Sequence, residues 1–293
     1  MKPPQFRYAT PASVDEALAL LSRFGDEAKV LAGGQSLMPL LNFRLSRPGV
    51  LVDINRLSEL EYIRRVDGEL HVGGLTRQRA LETSPDLSGV GLLLRDAVAH
   101  AGHVSIRNLG TVGGSLAHAD PAAELPAAVT ALRGQVEVRG PSGPRRVDPG
   151  VFFKAFFTTS LTPDELVTGL VVPDWPGRTG TAFHEVSRRA GDFAIVGVAA
   201  AVAVDDAGAV TMGGFGVCGA GETPVDGSAV FGRLVGRTLD QPAIEAAADE
   251  LARSVDPRSD GHGSAEYRRN LVRVLGRRAL GQAYDRARAT RGG

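Results

Sequence analysis

The chain has little cysteine: Cys218 is the only one among 293 residues. A disulfide within the chain is therefore excluded, and so is an iron–sulfur cluster held by its own thiolates, because such a cluster needs about four. Long apolar runs are also scarce, since the longest, around 194–204, is too short to span a bilayer. The first ten residues lack the apolar core of a secretory signal peptide. These absences predict a cytoplasmic protein with no transmembrane segment.

A net charge is lacking as well, because 33 Lys and Arg residues balance 33 Asp and Glu residues. Proteins that coat nucleic acid or a membrane surface usually carry a large basic excess. With 43% hydrophobic and 23% charged residues, the composition is that of a globular protein, and the length suffices for about two domains. We therefore expect no nucleic-acid partner, and we expect any charged ligand to be bound at a local site.

Hydrophobic patterning divides the chain into three regions, and the predicted fold class is α+β. Residues 1–57 combine a capped amphipathic helix with short apolar strands, which indicates a small parallel or mixed sheet. Residues 58–177 carry two hairpin signals with short helices between them. Residues 178–293 show antiparallel strands followed by helical segments, which predicts a separate α+β domain.

Two Gly-Gly turns are the strongest candidates for ligand binding. Gly33 and Gly34 lie between a short strand and a helical segment, so backbone N–H groups there can point together at an anion. A tight strand-to-helix turn without a ligand is the alternative. Gly113 and Gly114 have a hydroxyl residue on each side that can donate to phosphate oxygens. Two such loops predict a ligand with two phosphates and a sugar.

Acidic residues follow the second glycine turn. Asp120 and Glu124 can each accept hydrogen bonds from ribose hydroxyls. Asp120 precedes Pro121 and a helical pattern, so a helix cap is the alternative role for its carboxylate.

Other motifs are weaker. A third Gly-Gly pair, at 73–74, lies forty residues from each of the other two, but the flanking residues share no character and no repeat is predicted. The segment 214–219 fits a dinucleotide fingerprint as text, yet no helix signal follows it, which favours strand and loop. His100, His103 and His118 have no cysteine nearby to complete a zinc site, so we expect no metal in this chain.

The C-terminal segment carries arginines that alternate with apolar residues on a predicted amphipathic helix. A solvated face and a docking face for a partner subunit are both open at this stage. These arginines are Arg268, Arg269, Arg273, Arg277 and Arg278.

The glycine turns also resemble those of a known family. The segments AGGQSL (32–37) and TVGGSLAHADPAAE (111–124) resemble the two FAD-binding loops in the flavoprotein (medium) subunit of molybdenum hydroxylases, the carbon monoxide dehydrogenase and xanthine dehydrogenase group. YRRNLVRVLGRRAL (267–280) is similar to the last helix of that subunit. The resemblance implies a two-subdomain FAD-binding fold of the vanillyl-alcohol-oxidase (PCMH) type, followed by the C-terminal α+β domain of the CO dehydrogenase flavoprotein.

The resemblance also implies which residues contact FAD. Lys29 and Ala101 would line the cofactor cleft, and Leu166 would pack on the adenine side. Glu124 stands where the family often has an aspartate bound to the adenosine ribose, and Asp120 is its rival. The residues implied at the pyrophosphate are Ala32, Gly33, Gly34, Gln35, Ser36, Leu37, Thr111, Gly113, Gly114 and Ser115.

Two further positions fall near the flavin in the resemblance. His184 stands where xanthine dehydrogenases have a lysine, and a histidine is only partly protonated at pH 7, so a cationic role is not implied. Phe193 falls where an apolar or aromatic residue covers the isoalloxazine. A place in the hydrophobic core is the alternative for Phe193.

The function implied is that of an oxidoreductase component. This chain would take electrons from the clusters of an iron–sulfur small subunit, fed by a molybdopterin large subunit, and pass them to an acceptor such as a quinone or NAD. A dimer of heterotrimers is expected, and no catalytic residue is predicted in this chain. The alternatives are a self-sufficient FAD-dependent oxidoreductase acting on a small molecule, and a nucleotide-binding scaffold without redox function.

Overall fold

The computed structural model of the protein describes residues 2–289. Within this part, three larger sheets and one two-stranded ribbon form the framework. The strands are β1 (Arg7–Ala9), β2 (Ala28–Leu31), β3 (Val50–Asp53), β4 (Ile63–Val66), β5 (Glu69–Gly73), β6 (Gln135–Gly140), β7 (Gly143–Val147), β8 (Phe153–Ala155), β9 (Thr158–Thr159), β10 (Leu166–Pro173), β11 (Arg178–Ser187), β12 (Ala194–Val204), β13 (Val210–Cys218) and β14 (Val225–Asp226).

Helices connect and cover these sheets. The helices are α1 (Val14–Phe24), α2 (Leu37–Asn42), α3 (Gln78–Thr83), α4 (Leu92–Val98), α5 (Val104–Leu109), α6 (Val112–His118), α7 (Glu124–Ala131), α8 (Pro149–Phe152), α9 (Gln241–Ser254) and α10 (Ala265–Ala289). The segment Ser228–Arg233 forms a 3₁₀ helix.

The N-terminal region forms a parallel three-stranded sheet in the order β1-β3-β2, packed against α1. The predicted cap at Ser13 is confirmed, because its hydroxyl accepts a hydrogen bond from the Glu16 N–H at 3.2 Å. The Glu16 carboxylate accepts from the Ala12 N–H at 2.7 Å, one residue before the cap, so the reciprocal bond of a capping box is displaced by one residue. The helix ends at Gly25, whose φ of 48° is a left-handed value that glycine adopts without strain.

The middle region forms an antiparallel five-stranded sheet in the order β4-β5-β10-β6-β7. Both predicted hairpins are present, β4–β5 and β6–β7. The central strand β10 was not predicted. Its ladder with β6 shifts register between Val167 and Gly169, and this irregularity together with the glycine interrupts the alternation by which a strand is recognised.

The C-terminal region forms an antiparallel sheet in the order β11-β12-β13-β14. Every residue of β12 is buried, because α10 covers one face of the sheet and α7 of the preceding region covers the other. A Cβ added to Gly214 or Gly216 would lie 2.0 or 1.9 Å from the carbonyl oxygens of Ala131 and Ala127 in α7. The glycines of 214–219 therefore allow close helix–sheet packing, and the prediction that this segment is no dinucleotide fingerprint is supported.

No helix among residues 2–289 combines the length and the apolar character that a membrane crossing requires.

Candidate functional site

The structure brings the two glycine turns together. A Cβ added to Gly33 would lie 2.3 Å from the carbonyl oxygen of Leu109, two residues before Thr111. A Cβ added to Gly114 would lie 3.9 Å from the Cβ of Ala32. The backbones of segments 32–37 and 111–115 therefore form adjacent walls, and the Gly33 contact tolerates no side chain.

The first turn presents free backbone donors. Among the described residues, no acceptor lies within hydrogen-bond distance of the N–H groups of Gly34, Gln35 and Ser36, which precede α2. Gly34 has a φ of 73°, and the Gln35 side-chain amide donates to the Gly33 carbonyl at 2.8 Å. Successive N–H groups in such a turn form an anion-binding concavity, so this segment suits a pyrophosphate.

The second turn has the same Gly-Gly sequence but a different structure. It is the first turn of α6, and its N–H groups are already bonded: Gly113 donates to the Gly74 carbonyl at 2.8 Å and Gly114 to the Thr111 hydroxyl at 3.1 Å. The Ser115 N–H donates to the Thr111 carbonyl at 3.1 Å. Segment 111–115 can therefore offer a phosphate a close backbone approach and the Ser115 hydroxyl, whereas Thr111, 2% exposed, serves as the helix cap.

Two residues that sequence reasoning missed connect the turns. The Asn55 side-chain amide donates to the Ala32 carbonyl at 2.8 Å. The Arg77 guanidinium donates to the Asn55 amide oxygen at 2.9 Å and to the Leu109 carbonyl at 2.6 Å. Asn55 lies just beyond the carboxyl end of a parallel strand, where ligand-binding residues of such sheets gather, and this position was the one available signal.

The acids after the second turn differ in burial and role. Asp120 accepts a hydrogen bond from the Ala122 N–H at 2.9 Å, but α7 begins later, with Ala123 at the cap position, so the helix-cap alternative for Asp120 is wrong. Glu124 is 7% exposed. Burial, and next the neighbouring Glu185 carboxyl, raise the pKa of Glu124 to about 8.

Glu185 is a second carboxyl that the sequence did not single out. It lies on β11, and burial raises its pKa to about 7. Its Oε2 atom is buried with no hydrogen-bond partner among the described residues. A buried polar atom without a partner is costly, and hydroxyl groups of a bound ligand are the kind of donor that would satisfy it.

Ala101 lies beside the segment that carries Phe193. The Ala101 carbonyl accepts a hydrogen bond from Arg107 at 3.3 Å, and that guanidinium is also within electrostatic range of Glu124. A Cβ added to Gly191 would lie 2.6 Å from the His103 ring, so the segment that carries Phe193 passes close to Ala101. Phe193 is 73% exposed, and the core alternative for it is wrong.

The remaining predicted residues occupy separate places. Lys29, on β2, is exposed and lies near His118, whose pKa is lowered by burial first and also by that ammonium. Leu166 is buried in the core against which Ala32 packs. His184 points to α10, where its Nε2 lies 2.8 Å from the Gln282 amide oxygen, and its place near the flavin stays a prediction.

Two family models match the chain. One, described as the FAD binding domain in molybdopterin dehydrogenase, matches residues 4–175. The other, the CO dehydrogenase flavoprotein C-terminal domain, matches residues 181–283. The chain belongs to the FAD-binding flavoproteins of the molybdopterin dehydrogenase family. Its cofactor is FAD, and it is an oxidoreductase component.

Relatives along the whole length agree with this family. The chain is 44% identical to the 6-hydroxypseudooxynicotine dehydrogenase complex subunit alpha of Paenarthrobacter nicotinovorans, over 99% of this chain and 98% of that one. It is 37% identical to the caffeine dehydrogenase subunit beta of Pseudomonas sp. (strain CBB1), over 98% and 97%. A chain of the carbon monoxide dehydrogenase from Hydrogenophaga pseudoflava matches with a TM-score of 0.93 at 34% identity, covering 98% of this chain and 99% of that one. The resemblance and the fold implied by it are confirmed.

The residues of this flavoprotein fit FAD. The N–H groups of 34–36 provide donors without acceptors among the described residues, and the close contact between Gly33 and Leu109 holds these donors beside the second glycine turn. Glu124 and the unpartnered Oε2 of Glu185 provide acceptors for hydroxyl groups. Among residues 2–289, no group of three or more His, Cys, Asp or Glu side chains is arranged to hold a metal ion.

One arginine of the C-terminal helix is part of this framework. Arg268 is buried, and its guanidinium donates to the Ile195 and Gly219 carbonyls at 2.5 and 2.8 Å and to both oxygens of Asp260 at 2.7 Å. The solvated-face interpretation is therefore wrong for Arg268. It ties α10 to the start of β12 and thus to the segment that carries Phe193.

Proposed function

We propose that this chain is the FAD-binding electron-transfer subunit of a heteromeric molybdenum hydroxylase. It takes electrons from iron–sulfur clusters of a partner subunit and passes them to an external acceptor. The observation that carries the proposal is the junction of the free donors at 34–36 with the second glycine turn and the buried Glu124. A single cysteine leaves the chain unable to hold a cluster of its own, so electrons must come from elsewhere.

FAD, when bound, supplies a carrier that exchanges electrons singly or in pairs. In the proposed site the N–H groups of 34–36 and the Ser115 hydroxyl hold the pyrophosphate. Glu124 accepts from the ribose hydroxyls, with Asp120 beside it. Ala101 and Phe193 border the isoalloxazine. Arg268 fixes the segment that carries Phe193, so the apolar surface over the flavin stays in place.

The partners proposed are an iron–sulfur small subunit and a molybdopterin large subunit, assembled as a dimer of heterotrimers in the cytoplasm. Support comes from relatives that are named as subunits of larger dehydrogenases, such as the 6-hydroxypseudooxynicotine dehydrogenase complex. The regions 1–57, 58–177 and 178–293 each contribute one of the larger sheets, which supports two FAD-binding subdomains and a C-terminal domain.

The test separates electron relay from direct oxidation of a substrate. The isolated chain loaded with FAD should be reduced by dithionite and reoxidised by acceptors, but it should stay oxidised with aldehydes, purines or N-heterocycles. Adding the cognate small and large subunits should make flavin bleaching depend on the complex's substrate. Rapid substrate-driven bleaching of the isolated chain, free of molybdenum and iron, would instead establish a self-sufficient oxidoreductase. A chain that binds no flavin would establish a scaffold.

A further inference from the structure

Arg77 is joined to the second glycine turn by its backbone. It forms an isolated antiparallel bridge with Thr111, the residue that caps α6. Beside this bridge the Gln78 N–H donates to the Gly110 carbonyl at 2.8 Å. The backbone of Arg77 is therefore held in a fixed position relative to the second turn.

The Arg77 side chain reaches the first glycine turn through Asn55. Its guanidinium donates to the Leu109 carbonyl at 2.6 Å and to the Asn55 amide oxygen at 2.9 Å. The Asn55 amide nitrogen in turn donates to the Ala32 carbonyl at 2.8 Å. The Leu109 oxygen is also the atom that a Cβ added to Gly33 would approach to 2.3 Å. The guanidinium therefore holds the point at which the two turns meet.

The orientation of the Asn55 amide is determined by its other neighbours. One oxygen of Asp53 accepts from the Asn55 N–H at 2.9 Å and from the Asn55 amide nitrogen at 2.6 Å. The other oxygen of Asp53 accepts from the Tyr8 hydroxyl. Because Asp53 and the Ala32 carbonyl offer only acceptors, the amide turns its nitrogen to them. Its oxygen is left to face Arg77, whose guanidinium presents its donors in a rigid fork that can bridge two oxygen atoms on separate segments.

We propose that Arg77 is a positioning residue for FAD. Its fork sets the first turn beside the second, so that the N–H groups of 34–36 and the Ser115 hydroxyl bind the same diphosphate. The inference rests on the proposed function and its FAD site, and it assigns to that site a residue that acts through Asn55 and Leu109. Donors that are held in place before binding avoid the cost of ordering the turn when the cofactor arrives. Loss of the fork therefore weakens FAD binding more than it weakens the fold.

The experiment compares Arg77→Met with Arg139→Met in the full chain. Arg139 is the matched control, because it also joins the middle region to the N-terminal region, but it does so through Asp15 of α1, at 2.7 Å. Fluorescence titration measures the Kd of FAD for the apoprotein, and thermal melting measures the stability of the apoprotein. Phosphorus NMR of the FAD-saturated chain measures the resonances of the bound diphosphate.

We expect Arg77→Met to raise the Kd of FAD by about tenfold, the effect of losing one hydrogen bond to a charged phosphate. The diphosphate resonances of this variant should move towards those of free FAD, and Arg139→Met should match the wild type in both measurements. A lowered melting temperature with unchanged FAD affinity and unchanged diphosphate resonances would show that Arg77 only stabilises the fold, and would overturn the inference.

Arg77→Lys and Asn55→Ala test the fork itself. Lysine keeps the charge but lacks the fork, so Arg77→Lys should bind FAD as weakly as Arg77→Met. Asn55→Ala removes one acceptor of the fork, so its effect on the Kd should not add to that of Arg77→Met in the double variant. Wild-type affinity in Arg77→Lys, or additive effects in the double variant, would overturn the inference. Failure of the reconstituted complex to relay electrons would count against the proposed function alone, because the titrations and spectra use the isolated chain.

Discussion

The two glycine turns have similar sequences, but their backbone N–H groups differ in whether they have hydrogen-bond partners. At 34–36 the backbone N–H groups have no acceptor among the described residues, and Gly34 needs its glycine for a φ of 73°. At 112–115 the N–H groups are all bonded, and Gly113 needs its glycine because Gly74 approaches it closely. In the proposed site the backbone of the first turn therefore binds the cofactor, whereas the backbone of the second turn packs against the protein and places the first turn.

This difference shows that a Gly-Gly pair in a sequence indicates a close backbone contact. The pair alone does not tell whether the backbone contacts a ligand or another segment of the chain. The 73–74 pair illustrates the point, because Gly74 accepts from the Gly113 N–H and lies within 2.8 Å of a Cβ added there. The even spacing of this pair from the other two does not predict a sequence repeat, yet the pair packs directly against the second turn. Substitutions in the two turns should accordingly separate cofactor affinity from stability.

The largest effect is expected for Gly34→Val. A β-branched residue at a φ of 73° is strained, and its Cβ would lie 3.3 Å from Leu31 and Met38 side-chain atoms. Displaced N–H groups lose charge-assisted hydrogen bonds worth about 1.5–3 kcal/mol each. FAD affinity should therefore fall by about a hundredfold or more, measured by fluorescence titration of the apoprotein.

Gly68→Val is the matched control for this prediction. Gly68 has a φ of 77° in an exposed hairpin turn, and a Cβ added there meets nothing within 4 Å. Both variants should lower the melting temperature through backbone strain of about 1–3 kcal/mol, but Gly68→Val should keep its FAD. Equal FAD affinity in the two variants would show that segment 32–37 is an ordinary turn.

Gly113→Ala should act in the opposite way. Its Cβ would lie 2.8 Å from the Gly74 carbonyl oxygen, so the backbone must shift. We expect the apoprotein to lose about 2–3 kcal/mol in free energy of unfolding, measured by urea denaturation, as overpacked sites do. FAD affinity should fall less than in Gly34→Val. A stable apoprotein with a severe affinity loss would mean that the second turn binds phosphate directly through its backbone.

Sequence patterns predicted the elements that depend on interactions between residues close together in the chain. Ser13 and Glu16 form the expected cap, and the apolar run 194–204 is the buried strand β12. The bulge between Val167 and Gly169 hid β10, because periodicity fails where a strand is irregular.

The candidate site shows the same division. The glycine turns can be recognised in the sequence because the residues that form each turn are neighbours in the chain. Asn55, Arg77 and Glu185 do not, because each acts on residues far along the chain: Asn55 on Ala32, Arg77 on Leu109, and Glu185 on Glu124. One sequence offers no pattern for such contacts, which arise only once the sheets pack.

Glu124→Gln tests the acid that follows the second turn. Its pKa is raised from 4.5 to about 8, so the folded apoprotein holds a proton that the unfolded chain releases. Stability from this group is fully present below about pH 4.5 and is lost as pH rises towards 8. The wild-type apoprotein should lose on the order of 1–2 kcal/mol between pH 6 and 8.

The variant should abolish the part of that pH dependence that Glu124 contributes. Above pH 8, where the Glu124 carboxyl is ionised, the variant should also weaken FAD binding by about tenfold, because a charged acceptor is lost. Thermal melts of the apoprotein across pH and FAD titrations above pH 8 measure both. A variant with unchanged FAD affinity and a lowered melting temperature would return Glu124 to a purely structural role and favour Asp120 at the ribose.

The smallest effects are expected for substitutions of Thr111 and Ser115, which separate stability from FAD affinity within the second turn. Thr111→Val keeps the shape of a side chain that is 2% exposed but removes the acceptor for the Gly114 N–H. Loss of a helix cap should cost about 1 kcal/mol of apoprotein stability with little change in FAD affinity. Ser115→Ala removes a hydroxyl that caps nothing in the described structure, so it should leave stability nearly unchanged and weaken FAD binding by roughly 0.5–1.5 kcal/mol. Melting temperatures and FAD titrations of both variants measure these opposite effects on stability and on affinity. If Thr111→Val instead lost more affinity than stability, the Thr111 hydroxyl of the wild type would donate to the phosphate while it accepts from the Gly114 N–H, and Thr111 would bind FAD as well as cap α6.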